Sequence, residues 1–287
     1  MYTMRPAEFD YHRPTSLDEA LSLIGEEARP LAGGHSLIPL LKFRLSTPAA
    51  LVDLAGVPGL GEISANGGLT IGALATHREV AESDAVRSAC PVLAEAAGLI
   101  GDPQVRNRGT LGGSIAHADP AADYPTLLKA LGATVSVVGP NGTREIAADD
   151  FFVGIFTTAL NPDELVTSVS VPARATGTGA AYVKHHHPAS RFAVAGVAAV
   201  VTVEGGNCTA ARITVGGVSA SPTHASSAAD SLVGGPVSDE AIAAAAAKVP
   251  ESLESPTTDA YASGEYRLHL AEVLAARALA KAFERAA

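Results

Sequence analysis

Two stretches of this sequence place a glycine pair ahead of a small hydroxyl residue: "LAGGHSLIPL" (Leu31–Leu40) and "GTLGGSIAHADPAAD" (Gly109–Asp123). Glycine permits positive φ and lets a backbone come close to a ligand or to another chain segment. Successive N–H groups at Gly33–Gly34 and Gly112–Gly113 can converge on one concavity, a nest suited to an anion. Ser36 and Ser114 each supply a hydroxyl that can donate to a phosphate oxygen without adding charge. Neither stretch is a Walker loop, because no Gly-Lys-Ser/Thr follows, and neither carries the GxGxxG dinucleotide fingerprint. Alone, either one reads as a turn. Two of them, each at a strand-like end, point to a diphosphate.

The chain carries a formal net charge of −10 over 287 residues. That excludes nucleic acid as an expected partner, since such binding rests on Lys and Arg neutralising phosphates. A phosphate-bearing ligand must be held here by local dipoles. Asp119 and Asp123, at the end of the second stretch, suit sugar hydroxyls, which carboxylates accept in nucleotide sites. His117 beside them reads with the nucleotide and not as a metal ligand. The only two cysteines, Cys90 and Cys208, cannot ligate an iron–sulfur cluster or a four-thiolate zinc site. No run of about 18 apolar residues is present, and the N-terminus has no signal-peptide core. A cytoplasmic chain with no integral membrane segment is expected.

The length suggests two or three domains. Ser16 and Glu19 read as the capping box of a helix over 16–27, followed by strands at "ARPLAGG" and "AALVDLAG" (Ala49–Gly56). Hairpins are expected around Asn66–Gly67 and Asn141–Gly142, with helical material over 77–101 that Pro91 breaks or restarts. "YPTLLKAL" reads as a helix and "DELVTSVSVP" as a strand. From about Gly177 a three-stranded antiparallel meander precedes two helices, and "RATGTGA" (Arg174–Ala180) marks the boundary. The expected class is α+β, with segments 1–56 and 57–175 as two α/β subdomains and 176–287 as a C-terminal domain of three-stranded sheet with helices.

The stretches "PLAGGHSLIPLLKFRL", "IGDPQVRNRGTLGGSIAHADPAADYP" and "SGEYRLHLAEVLAARAL" resemble the FAD-binding medium subunits of the molybdenum hydroxylases, in particular the carbon monoxide dehydrogenase branch. The resemblance covers nearly the whole chain. It implies the vanillyl-alcohol-oxidase (PCMH-type) flavin fold and FAD as cofactor. It assigns Leu31, Ala32, Gly33, Gly34, His35, Ser36, Leu37 and Ile38 to the pyrophosphate, together with Thr110, Gly113 and Ser114. Ile100 lies nearby, Asp123 serves the adenosine ribose, and the Val166 backbone meets the adenine. Lys184 reaches the flavin side, and Phe192 lies against the isoalloxazine. Phe192 and Arg191 stand where that branch usually carries Tyr and Asp.

By the same resemblance, a large molybdopterin-binding subunit oxidises the substrate and a small subunit with two two-iron–two-sulfur clusters relays electrons. This chain would be the FAD-binding electron-transfer subunit, within a dimer of heterotrimers. Carbon monoxide, aldehydes and N-heterocycles are the candidate substrates of the partner. A non-enzymatic FAD- or nucleotide-binding regulatory module and a self-sufficient flavin oxidase are the alternatives. No residue of the chain is expected to be catalytic. The run His185–His187 reads as a surface or partner-contact strand, because adjacent strand side chains face opposite ways.

Overall fold

The computed structural model describes residues 4–287. Strand β1 (Asp10–His12), helix α1 (Leu17–Leu23), β2 (Ala28–Leu31), α2 (Leu37–Lys42) and β3 (Ala50–Asp53) come first, and the three strands pair in parallel with β3 central. The first glycine loop therefore leaves the carboxyl end of a parallel sheet, where open α/β sheets bind ligands. Ser16 caps α1 by accepting from the Glu19 amide at 3.2 Å. The expected capping box is displaced by one residue: the Glu19 carboxylate accepts from the Thr15 amide, at 2.8 Å. Neither β1 nor α2 was readable in the sequence. β1 is three residues long, and Pro39 conceals α2, though at the third helical position its missing N–H costs nothing.

Next come β4 (Ile63–Ser64), β5 (Gly68–Gly72), α3 (His77–Glu82), α4 (Asp84–Ala89), α5 (Pro91–Leu99), α6 (Pro103–Arg106), α7 (Leu111–His117) and α8 (Asp123–Leu131). Then β6 (Thr134–Gly139), β7 (Gly142–Ala147), α9 (Ala148–Phe151), β8 (Phe152–Gly154), β9 (Thr157–Thr158) and β10 (Leu165–Pro172) complete the segment. A five-stranded antiparallel sheet in the order β4-β5-β10-β6-β7 is its frame. Both Asn-Gly hairpins form, with Gly67 at φ 71° and Gly142 at φ 95°. Pro91 starts α5 at its first turn. Ile71, Val135, Val137 and Val169 pack in one core with Leu93, Leu111, Ile115, Leu127 and Leu128, all essentially without exposure. The second glycine pair lies inside the first turns of α7, not at a strand end as expected.

The last segment holds β11 (Thr178–His186), β12 (Ala193–Glu204), β13 (Asn207–Gly216), β14 (Thr223–His224), α10 (Ser226–Asp230), α11 (Asp239–Lys248) and α12 (Gly264–Ala286). Its antiparallel sheet has four strands, not the three expected. The fourth, β14, pairs only at Thr214–His224 and Val215–Thr223, too short for an alternating pattern to show. Helix α12 seats its backbone on β11: a Cβ at Gly179 would lie 1.9 Å from the Ala282 carbonyl oxygen. Ala271, Ala275, Ala278 and Ala282, fully buried, line the face that makes this approach possible.

Candidate functional site

A cavity of about 530 Å³ opens where the first glycine loop, α7 and the β11–β12 turn converge. Its wall includes Ala32 through Leu37, Ile100, Thr110, Gly113, Ser114, His117, Asp123, Val166 and Phe192, all singled out in the sequence. Three of the expected residues stand outside it: Leu31, Ile38 and Lys184. Leu31 ends β2. Ile38 folds back over Gly34, so that a Cβ there would lie 2.7 Å from its Cδ1.

The two glycine loops are built against each other. A Cβ on Gly33 would lie 2.1 Å from the Arg108 carbonyl oxygen, and one on Gly112 would lie 2.7 Å from the Ala73 carbonyl oxygen. These glycines thus permit backbone to meet backbone beneath the cavity. Gly34 also adopts the left-handed region at φ 77°.

The loops differ in what they offer an anion. Gly112 N–H donates to the Ala73 carbonyl at 2.8 Å and Ser114 N–H to that of Thr110 at 3.0 Å. Gly113 N–H donates to the Thr110 hydroxyl at 3.1 Å. The nest expected at Gly112–Gly113 is therefore filled by the protein itself. In the first loop the amides of Gly33, Gly34, His35, Ser36 and Leu37 make no hydrogen bond among the described residues. Backbone donors left open at a cavity wall call for an acceptor there.

Three carboxylates line the cavity. Glu164 is held by Arg144 at 2.8 and 2.7 Å and by the Asn161 amide at 2.8 Å, which lowers its pKa to about 2. Asp123 accepts from the Tyr182 hydroxyl at 2.6 Å and from the Lys184 ammonium at 2.8 Å. Burial pushes the Asp123 carboxyl above its ordinary range, opposed by Lys184 and Tyr182. The ribose role expected of Asp123 thus meets a group whose two oxygens are already engaged. Lys184, expected on the flavin side, donates to that carboxylate and to the Arg191 carbonyl. Asp119 is different: one oxygen accepts from the Ala121 amide at 2.9 Å, and the other is uncommitted among the described residues.

The imidazoles at the wall differ as well. His77 is 5% exposed, and burial lowers its pKa to about 4. Its Nδ1 lies 3.2 Å from the Tyr124 hydroxyl. His117 rests on Phe156 with ring centroids 4.9 Å apart, and burial lowers its pKa too. Sequence reasoning overlooked His77, Phe156, Arg29 and Gly109 at this wall. Only Gly109 carried a signal, as a third glycine in "RGTLGG"; nothing in "ATHRE" shows that His77 turns inward.

Residues 7–174 match the family model described as the FAD binding domain in molybdopterin dehydrogenase. The chain belongs to this family. Residues 180–282 match the C-terminal domain of the carbon monoxide dehydrogenase flavoprotein. FAD is therefore its cofactor, and it is an oxidoreductase flavoprotein subunit. The carbon monoxide dehydrogenase medium chain of Afipia carboxidovorans is 41% identical, with 99% of each chain covered. A subunit of 6-hydroxypseudooxynicotine dehydrogenase from Paenarthrobacter nicotinovorans is 40% identical, over 99% of this chain and 97% of that protein. Among solved structures, a carbon monoxide dehydrogenase from Hydrogenophaga pseudoflava superposes with a TM-score of 0.94 at 40% identity, covering 98% of this chain and 99% of that one. None of the described helices is long and apolar enough to cross a membrane.

Proposed function

We propose that this flavoprotein grips the FAD pyrophosphate on the open amides of Gly33 through Leu37, assisted by the Ser36 and Ser114 hydroxyls. Those five uncommitted donors at a cavity wall carry the assignment. The second loop acts as a support: Thr110 caps α7 and Gly112 seats it on Ala73, which fixes the floor on which the first loop rests. Sugar hydroxyls fall to Asp119, the lining carboxylate with an open oxygen. Phe192, 43% exposed at the rim, supplies an aromatic face for the isoalloxazine. Bound FAD supplies a two-electron store between a one-electron donor and a final acceptor.

Cys90 and Cys208 are both buried singly, so clusters that deliver electrons must sit on another chain. A small iron–sulfur subunit and a large molybdopterin subunit, in a dimer of heterotrimers in the cytoplasm, complete this proposal. Carbon monoxide is the substrate we assign to the partner, on the similarity to two carbon monoxide dehydrogenase medium chains at 41% and 39% identity. The test is to titrate the apo-chain with FAD and with riboflavin. FAD should bind at least a hundredfold more tightly, about 2.7 kcal/mol, from the pyrophosphate and adenosine that riboflavin lacks. Equal affinities would overturn the role given to the first loop. Bleaching of the flavin bands by carbon monoxide in the assembled complex, and not in the chain alone, tests the substrate.

A further inference from the structure

Strands β11 and β12 are joined by a turn, His187–Phe192, that carries three cavity residues, Ser190, Arg191 and Phe192, at its end. The turn is closed by His187 N–H on the Phe192 carbonyl and by Arg191 N–H on the His187 carbonyl, both 2.8 Å. Arg191 sits in the left-handed region at φ 60°. A non-glycine residue pays about 1 kcal/mol or more for that conformation, so something must hold it there. The Lys184 ammonium donates to the Arg191 carbonyl at 2.8 Å. The same ammonium is anchored on Asp123, and both side chains are buried, 3% and 4% exposed.

We propose that Lys184 is a positioning residue: braced on Asp123, it pins the Arg191 carbonyl and so sets the turn that presents Arg191 and Phe192 to the cavity. Asp123 opens α8, and its neighbours Pro120 and Ala121 accept from Gly217 and Ala193 N–H at 2.9 and 3.0 Å. The C-terminal sheet thus grips the end of the second glycine loop, and Lys184 extends that grip to the rim. Arg191, which forms no ion pair among the described residues, is then held as part of the cavity wall. This deepens the FAD reading above and rests on it only for what Phe192 would touch.

The chain has no tryptophan, so Phe192→Trp creates a single reporter on the turn. In that background, Lys184→Gln leaves Asp123 buried without its cation, which could loosen the fold for reasons unrelated to the turn. Asp123→Asn combined with Lys184→Gln removes that imbalance. If Lys184 only neutralises Asp123, the double variant recovers the parent's tryptophan anisotropy. If Lys184 pins Arg191, the double variant stays mobile, with acrylamide quenching raised about twofold in the apo-chain. FAD affinity then falls about three- to tenfold, since binding must order the turn. Parent-like anisotropy in the double variant overturns the proposal even where FAD quenches the reporter normally. A mobile double variant whose parent is not quenched by FAD supports the tether and overturns the placing of flavin at Phe192.

Discussion

At the scale of single residues, the glycines divide by what they face. Gly33 meets the Arg108 carbonyl, whereas a Cβ on Gly25 would meet nothing within 4 Å. Gly33→Ala should therefore destabilise by about 1–3 kcal/mol and release FAD, while Gly25→Ala leaves the unfolding free energy from urea titration within about 0.5 kcal/mol of the parent. Equal effects would mean that the loops are not packed as described. Both glycine pairs stood out in the sequence because glycine pairs ahead of a hydroxyl residue permit close backbone approach, and both line the cavity. That the second pair spends its amides on Ala73 and Thr110 was not legible there, since those partners depend on tertiary contact. His77 was invisible for the same reason. Its folded pKa of about 4 lies below the ordinary value of 6.5, so the unfolded chain binds the extra proton first. Stability contributed by neutral His77 is full above pH 6.5 and is lost as pH falls towards 4, by at most about 3 kcal/mol. Urea unfolding of the chain and of His77→Gln across that window checks this: the variant's profile should be flatter, and parallel profiles would sink the assignment.

Whole elements were legible where they are long or carry a local signal. The Asn-Gly hairpins, Pro91 at the start of α5 and the alanine-rich α12 all follow from local chemistry. Among the elements that escaped, β1, α2 and β14 are too short for periodicity to emerge, and β1 pairs with a strand distant in sequence. Helix α12 shows the energetic side of element packing. Its alanine face lets the backbone approach β11 until Gly179 touches the Ala282 carbonyl oxygen. Arg267 on the same helix donates to the Val194 and Gly217 carbonyls at 2.6 and 2.7 Å, tying α12 to the ends of β12 and β13. Gly179→Ala should lift the helix from the strand and cost about 1–3 kcal/mol, measured by urea denaturation. A change below about 0.5 kcal/mol would mean that the contact yields without strain.

At the scale of the molecule, the cavity wall is shared by all three parts of the chain. The first glycine loop comes from the parallel sheet, α7 and Val166 from the five-stranded sheet, and Arg191 and Phe192 from the C-terminal sheet. Bonds outside the cavity join the last two of these parts. Asp149 receives Arg212 and His224, each at 2.7 Å, and Glu95 receives Arg285 at 2.6 Å. These exposed ion pairs add little by themselves in salt. The buried join is at the turn of Pro120 to Asp123, gripped by Ala193, Gly217, Tyr182 and Lys184. Loss of any one part then exposes the others' cavity-facing surface, so thermal unfolding should be a single transition. FAD binding only to the folded chain stabilises it by about 2.7 kcal/mol at a hundred times its Kd. Because its site spans all three parts, the whole transition should move upward together. Calorimetry of the chain with and without FAD decides this: two transitions, of which FAD shifts only one, would show that the C-terminal sheet is not coupled to the cofactor cavity.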